Sequence, residues 1–359
     1  MDHYSIALIP GDGIGVDVVR EGKKVLDVIC NLHGGFSLTY KEFDWSCEYY
    51  AKHGKMMPDD GLEQLKDFDS IFLGAVGYPG VPDHVSLWGL LLPIRRQFEQ
   101  YINLRPVKLL KGLDSPLAGK TSEQLDFIVI RENNEGEYSS IGGRMYEGTD
   151  LDMAMQTSVF TRKGVERVLR YAFDLADKQG KKKHVTAATK SNGINHTMPF
   201  WDEYVERINQ EYPQVTSNTV HIDALAAFFV SKPETMDVVV ASNLFGDILT
   251  DLGAAIVGGL GIAPSANINP EKKYPSMFEP VHGSAPDIAG KGIANPLASI
   301  WCTSMMLDHL GQAESAKAII DAMEDVLQEK EVLTSDLGGK STTEQVGDYI
   351  CKKLKARLS

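Results

Sequence analysis

The sequence predicts an α/β protein built on a largely parallel sheet. Three observations carry that expectation. Short apolar runs rich in β-branched residues recur at 5–9, 69–73, 126–130 and 238–241, and such runs suit strands covered on both faces. Glycine-containing or polar turns follow them, at 10–15, 74–77, 131–133 and 242–243. Helical patterns follow several of the turns, as at 16–30 and 161–180. In the second of these Val165, Val168, Leu169, Ala172, Leu175 and Ala176 recur at helical spacing behind a Thr161 cap, as an amphipathic helix requires.

With 359 residues the chain is long enough for two domains. Apolar content of 43% and charged content of 24% are ordinary globular values and exclude disorder as the default. The net charge of -13 argues against a nucleic-acid partner, which needs a basic face. Cys30, Cys47, Cys302 and Cys351 form no CxxC pair, so neither a thiolate zinc site nor a redox motif is expected. The chain enters a strand at once, without the pattern of a secretory signal. No segment reaches the apolar length of a bilayer span. The expectation is a cytoplasmic protein with no membrane partner.

Taken in order, the first strand leads into PGDGIG at 10–15. Its spacing is GxGxG rather than GxGxxG, so a Rossmann fingerprint is not supported. In 84–106, Trp88, Leu91 and Leu92 precede Pro93; Arg95 and Arg96 follow, and Arg105 comes ten residues after Arg95. The strand at 126–130 ends in Arg131. Arginines at a helix and at a strand end could converge on one anion, because the planar guanidinium donates two parallel hydrogen bonds. Spacing alone leaves that open. The stretch 133–149 is polar and Gly-rich, and places Tyr138 in a loop. The run 183–193 goes from strand into turn and puts Lys190 at the strand end, and 220–224 places Asp223 near a strand end, with 224–230 helical.

The most informative stretch is VVVASNLFGDILTDLG, 238–253. A buried strand reaches Ser242 and Asn243 as turn and N-cap, then a helix with Leu244, Ile248 and Leu252 on one face. Asp247 and Asp251 lie four apart and project together. Two such carboxylates repel each other unless a cation sits between them, and hard divalent ions take oxygen ligands. Beyond it, 258–266 is a Gly-rich connection. Residues 277–290 read as a loop of small residues whose Asp287 could accept from a ribose diol. The apolar helix at 296–310 looks like core.

Several motifs together resemble one family, the metal-dependent β-decarboxylating 2-hydroxyacid dehydrogenases that include isocitrate and isopropylmalate dehydrogenases. They are IPGDGIG (9–15), LPIRR with NLRP (92–96, 103–106), VIREN with GEY (129–133, 136–138), ATKSN (188–192), NLFGDILTDLG (243–253) and EPVHGSAPDIAG with IANP (279–290, 293–296). They span nearly the whole chain. The 83–107, 47–60 and 264–271 runs most resemble members acting on D-malate and tartrate. The resemblance implies an isopropylmalate-dehydrogenase-like two-domain α/β fold with an active-site cleft, not a Rossmann fold. The expected domains are 1–100 plus 258–359 on the cofactor side, and 101–257 for substrate, metal and dimerisation.

The same resemblance implies NAD- and divalent-metal-dependent oxidative decarboxylation of a small C4 2-hydroxy dicarboxylate. Arg95, Arg105 and Arg131 would hold the carboxylates, with Trp88 and Leu92 lining the pocket. Asp247 and Asp251 would bind Mg2+ or Mn2+ with Asp223 from the other subunit of a homodimer, whose Lys190 would take the hydroxyl proton. Tyr138 would protonate the enolate. Glu279, His282, Gly283, Ser284, Ala285, Pro286, Asp287, Ile288 and Asn295 would hold NAD, Asp287 disfavouring the 2′-phosphate of NADP. A K+ requirement stays open. The alternatives are 3-isopropylmalate dehydrogenase, against which the bulk of Trp88 speaks, and a non-catalytic regulatory subunit, against which the full set of charged residues speaks.

Overall fold

A computed structural model describes residues 2–358. The chain forms two compact units, one of Met1–Gln100, Lys108–Ser122 and Ala254–Ser359, the other of Tyr101–Val107 and Glu123–Gly253. Four free cysteines and no disulfide accord with the absence of a paired motif. Among the described residues no helix is long and apolar enough to cross a membrane.

In the first unit the strand order is Phe36–Glu42, Asp2–Gly11, Ser70–Ala75, Ser276–Pro280, Pro264–Ile268. The first four are parallel and the last pair antiparallel. Ser70–Ala75 is buried along its length, which is why its sequence is an apolar run rather than an alternation. The helix Ile14–His33 packs on the Leu297–His309 and Thr343–Leu358 helices. Leu297–His309 is buried almost throughout, the core element its apolar sequence predicts. Residues 108–122 belong here because Ser115 Oγ donates to the Ile256 carbonyl (2.6 Å) and Lys108 and Lys111 face Glu324.

The turn after the first strand is a structural knot. The buried Asp12 carboxylate accepts the backbone N–H groups of Cys47 and Gly77 at 3.0 Å. Gly13 has φ +58°, and a Cβ there would meet the Ser284 carbonyl at 2.0 Å, so only glycine fits. Ile14 N–H donates to that carbonyl (2.9 Å). The glycines of IPGDGIG thus bind protein, which accounts for the poor match to a dinucleotide fingerprint.

In the second unit the order is Ile102–Lys108, Asp126–Glu132, Val238–Ala241, His184–Thr189, Thr216–His221. The last four are parallel. Val238–Ala241 is buried throughout, as its β-branched run predicts. Thr161 caps the Arg162–Gln179 helix by accepting the Gly164 N–H at 3.0 Å. Two expectations need correction. Residues 277–280 are not loop but most of the strand Ser276–Pro280. The polar stretch after Arg131 is not all loop: it begins an antiparallel arm, Gly142–Met145 with Met153–Gln156. Asp223, expected near a strand end, lies in the first turn of the Ile222–Ser231 helix, just past the end of the strand Thr216–His221.

Candidate active site

Parallel strands bring their carboxyl ends to one edge, where α/β proteins bind ligands. In the second unit Ala241 lies level with Arg131, and Thr189 level with His221. Arg131 lies at one of those ends, and just past them come the Asn243–Ile256 helix, Lys190 and Asp223.

The centre of the site is Asp247. Arg131 Nη1 and Tyr138 OH both donate to its carboxylate, the latter at 2.9 Å. Arg105 Nη2 lies 3.5 Å from the same carboxylate, and its Nη1 lies 3.5 Å from Asp251. Arg105 also donates to Thr250 Oγ1 (2.6 Å), and Arg131 donates from Nε and Nη2 to Asn243 Oδ1 at 3.0 and 2.7 Å. The Arg131 guanidinium sits 5.4 Å from the Tyr138 ring centroid, within cation–π range. Convergence of Arg105 and Arg131, left open by spacing, is therefore realised. Both arginines are buried, and a buried guanidinium requires such partners.

Sequence reasoning missed Asn243 as an arginine ligand, taking it for a cap, and missed Thr250. A signal existed: Asn243, Asp247, Thr250 and Asp251 recur at i, i+4, i+7 and i+8, one polar face of a helix. Gly246 permits the arrangement, since a Cβ there would lie 2.6 Å from Arg131 Cβ and Cγ. Burial pushes the Asp251 carboxyl above its ordinary range, against the pull of Arg105, and the neighbouring Asp247 adds to the rise. A cation would offset both upward effects. An oxygen-only pair one helical turn apart fits a hard dication.

Lys190 and Asp223 form a second group. Lys190 Nζ donates to Asp223 Oδ1 at 2.7 Å, and this bond holds the Asp223 carboxyl below its usual range. Among the described residues of one chain, no three His, Cys, Asp or Glu side chains form a group able to hold a metal. Asp223 thus does not join Asp247 and Asp251 within one copy.

The remaining candidates lie in the first unit. Arg95 is buried, and its Nη2 donates to Glu279 Oε1 at 2.6 Å. Trp88 is 40% exposed on a π-helical turn, Leu87–Leu91, with the Arg96 guanidinium 4.8 Å from its ring centroid. Leu92 is buried. In the 282–290 loop Gly283, Pro286 and Asp287 are exposed, Ala285 and Ile288 half-buried and Ser284 buried. His282 Nε2 is shielded from solvent and has no hydrogen-bond partner among the described residues. An orphaned ring nitrogen beside an exposed carboxylate and open backbone fits the adenosine end of NAD. Asn295 differs: it is buried, donates to Asp336 (2.9 Å) and accepts from Leu297 N–H (3.0 Å) at the start of the Leu297–His309 helix.

A family model described as isocitrate/isopropylmalate dehydrogenase matches residues 5–350. The chain is 56% identical over 356 residues to a probable tartrate dehydrogenase/decarboxylase of Bacillus subtilis (strain 168), covering 99% of each. It is 56% identical over 359 residues to the D-malate dehydrogenase (decarboxylating) of Escherichia coli (strain K12), covering 98% of this chain and 99% of the relative. The crystal structure of isocitrate dehydrogenase from Methylococcus capsulatus superposes with a TM-score of 0.88 at 33% identity, covering 98% of this chain and 99% of that one.

Proposed function

The chain belongs to the isocitrate/isopropylmalate dehydrogenase family, and on that premise we propose that it oxidatively decarboxylates D-malate to pyruvate and CO2, reducing NAD and also oxidising tartrate isomers. Full-length identity with relatives bearing the names D-malate dehydrogenase and tartrate dehydrogenase carries this reading over 3-isopropylmalate. The deciding experiment is initial-rate NAD reduction with Mn2+, with and without K+. It compares D-malate, L-tartrate, meso-tartrate and 3-isopropylmalate and follows CO2 in parallel. D-malate ahead with stoichiometric CO2 is expected; a lead for 3-isopropylmalate would overturn the substrate.

Arg105 and Arg131, with Arg95, hold the substrate carboxylates, exchanging some of their present carboxylate contacts for those of the ligand. Asp247 and Asp251 hold the dication, with Asp223 of a second copy completing the oxygen set. Lys190 of that copy takes the hydroxyl proton. Tyr138, already hydrogen-bonded at Asp247, returns a proton to the enolate carbon once CO2 has left. A bound Mg2+ or Mn2+ would supply Lewis-acid polarisation of the substrate oxygens, and NAD would accept the hydride. Every organic intermediate is anionic, which explains arginines and a dication together. A cytoplasmic location belongs to the same proposal.

Two expected outcomes arise here. Asp287→Lys removes the acceptor for the ribose diol and is expected to raise KM for NAD about tenfold, with KM for D-malate unchanged; unaltered NAD kinetics would remove Asp287 from the cofactor site. Gly246→Ala should favour the helix by about 1 kcal/mol from propensity alone. The Cβ would nevertheless displace Arg131, so KM for D-malate is expected to rise while thermal stability falls. A variant more stable and equally active would show that Arg131 needs no such close seat.

A further inference from the structure

The first unit contains a buried polar group that the roles above leave unexplained. Asn267 is fully buried on the Pro264–Ile268 strand. It lies opposite Met277 in the antiparallel pair, and Glu279 is its diagonal neighbour on the same face. Asn267 Nδ2 donates to Glu279 Oε1 at 2.6 Å, the same oxygen that takes Arg95 Nη2 at 2.6 Å. Arg95, Glu279 and Asn267 are each under 9% exposed. Two donors on one oxygen leave Glu279 Oε2 without a protein partner among the described residues.

We propose that Asn267 is a positioning residue for the substrate arginine: its amide fixes the Glu279 carboxylate, and that carboxylate fixes Arg95. The need for it is geometric. A carboxylate on a rotatable stem can meet a guanidinium in several ways, and a second donor at Oε1 selects one of them. Arg95 lies on a short helix, Leu92–Gln97, and Glu279 is the distant acceptor that holds its Nη2. Asn267 acts through Glu279 and touches no reacting atom. The inference rests on the proposed role of Arg95 in carboxylate binding.

The test is steady-state kinetics on Asn267→Leu and Asn267→Asp, each compared with wild type on D-malate. Wild-type turnover of D-malate checks the substrate reading itself. If tartrate proves the better substrate, the same ratios are taken with tartrate. Asn267→Leu is expected to raise KM for the dicarboxylate about tenfold, with kcat little changed. In an Arg95→Lys background the same substitution should add little, because the two residues act in series. Asn267→Asp keeps the shape but donates only when protonated, so its KM ratio to wild type should shrink as pH falls from about 9 to about 6. Additive effects with Arg95→Lys, or equal losses in every parameter, would reduce Asn267 to a packing residue.

Discussion

Asp247→Asn is expected to lower kcat/KM for D-malate by about 10²- to 10³-fold. The side chain keeps its size, so the loss is one of charge. Asp247 takes hydrogen bonds from Arg131 and Tyr138 and lies within ion-pair reach of Arg105. It is also a proposed holder of the dication. On the proposed roles, neutralising it would weaken the metal site and loosen Tyr138 at one stroke. Among the described residues Asp251 is seen in the 3.5 Å contact with Arg105, and its side chain is 61% exposed, so Asp251→Asn should cost less in stability while still weakening metal binding. Mn2+ affinity followed by electron paramagnetic resonance, beside kcat/KM, separates the two. A fully active Asp247→Asn enzyme with unaltered Mn2+ affinity would end the metal assignment.

Much of this arrangement can be read from the chain because it is local. Asp247 and Asp251 share one helix, and helical period alone puts them on one face. Lys190 follows directly from the end of a β-branched strand. What could not be read depended on groups far apart in sequence. Arg105, Arg131 and Tyr138 reach Asp247 across more than a hundred residues, and no periodicity encodes that. The strand Ser276–Pro280 was hidden because its apolar residues run into a loop rich in Pro and Gly. Its partner Pro264–Ile268 opens with proline and holds small polar residues. The arm Gly142–Met145 with Met153–Gln156 was hidden because its exposed residues show no buried face to alternate against.

Two inactive variants, Lys190→Ala and Asp247→Asn, are expected to recover about one quarter of wild-type activity when co-expressed or exchanged in equal amounts. The argument begins with an apolar surface. The helix face expected to be apolar is Leu244, Ile248 and Leu252, and Leu244 and Ile248 are 36% and 53% exposed; Phe245 and Leu249 are the buried side. The arm adds Met145, Leu151, Met153 and Met155, all exposed. Exposed apolar residues on the helix that carries Asp247 and Asp251, and on the arm, call for a cover, and a second copy is the cover the proposed chemistry needs. Asp223 and Lys190 pair with each other but do not join the Asp247–Asp251 group within one chain. If each site draws Lys190 from one copy and Asp247 from the other, a mixed dimer has one site with both defects and one with neither. Random pairing makes half the dimers mixed, and half of their sites intact. Sites built from a single chain would instead leave every site with one defect, and the mixture would be as inactive as its parents.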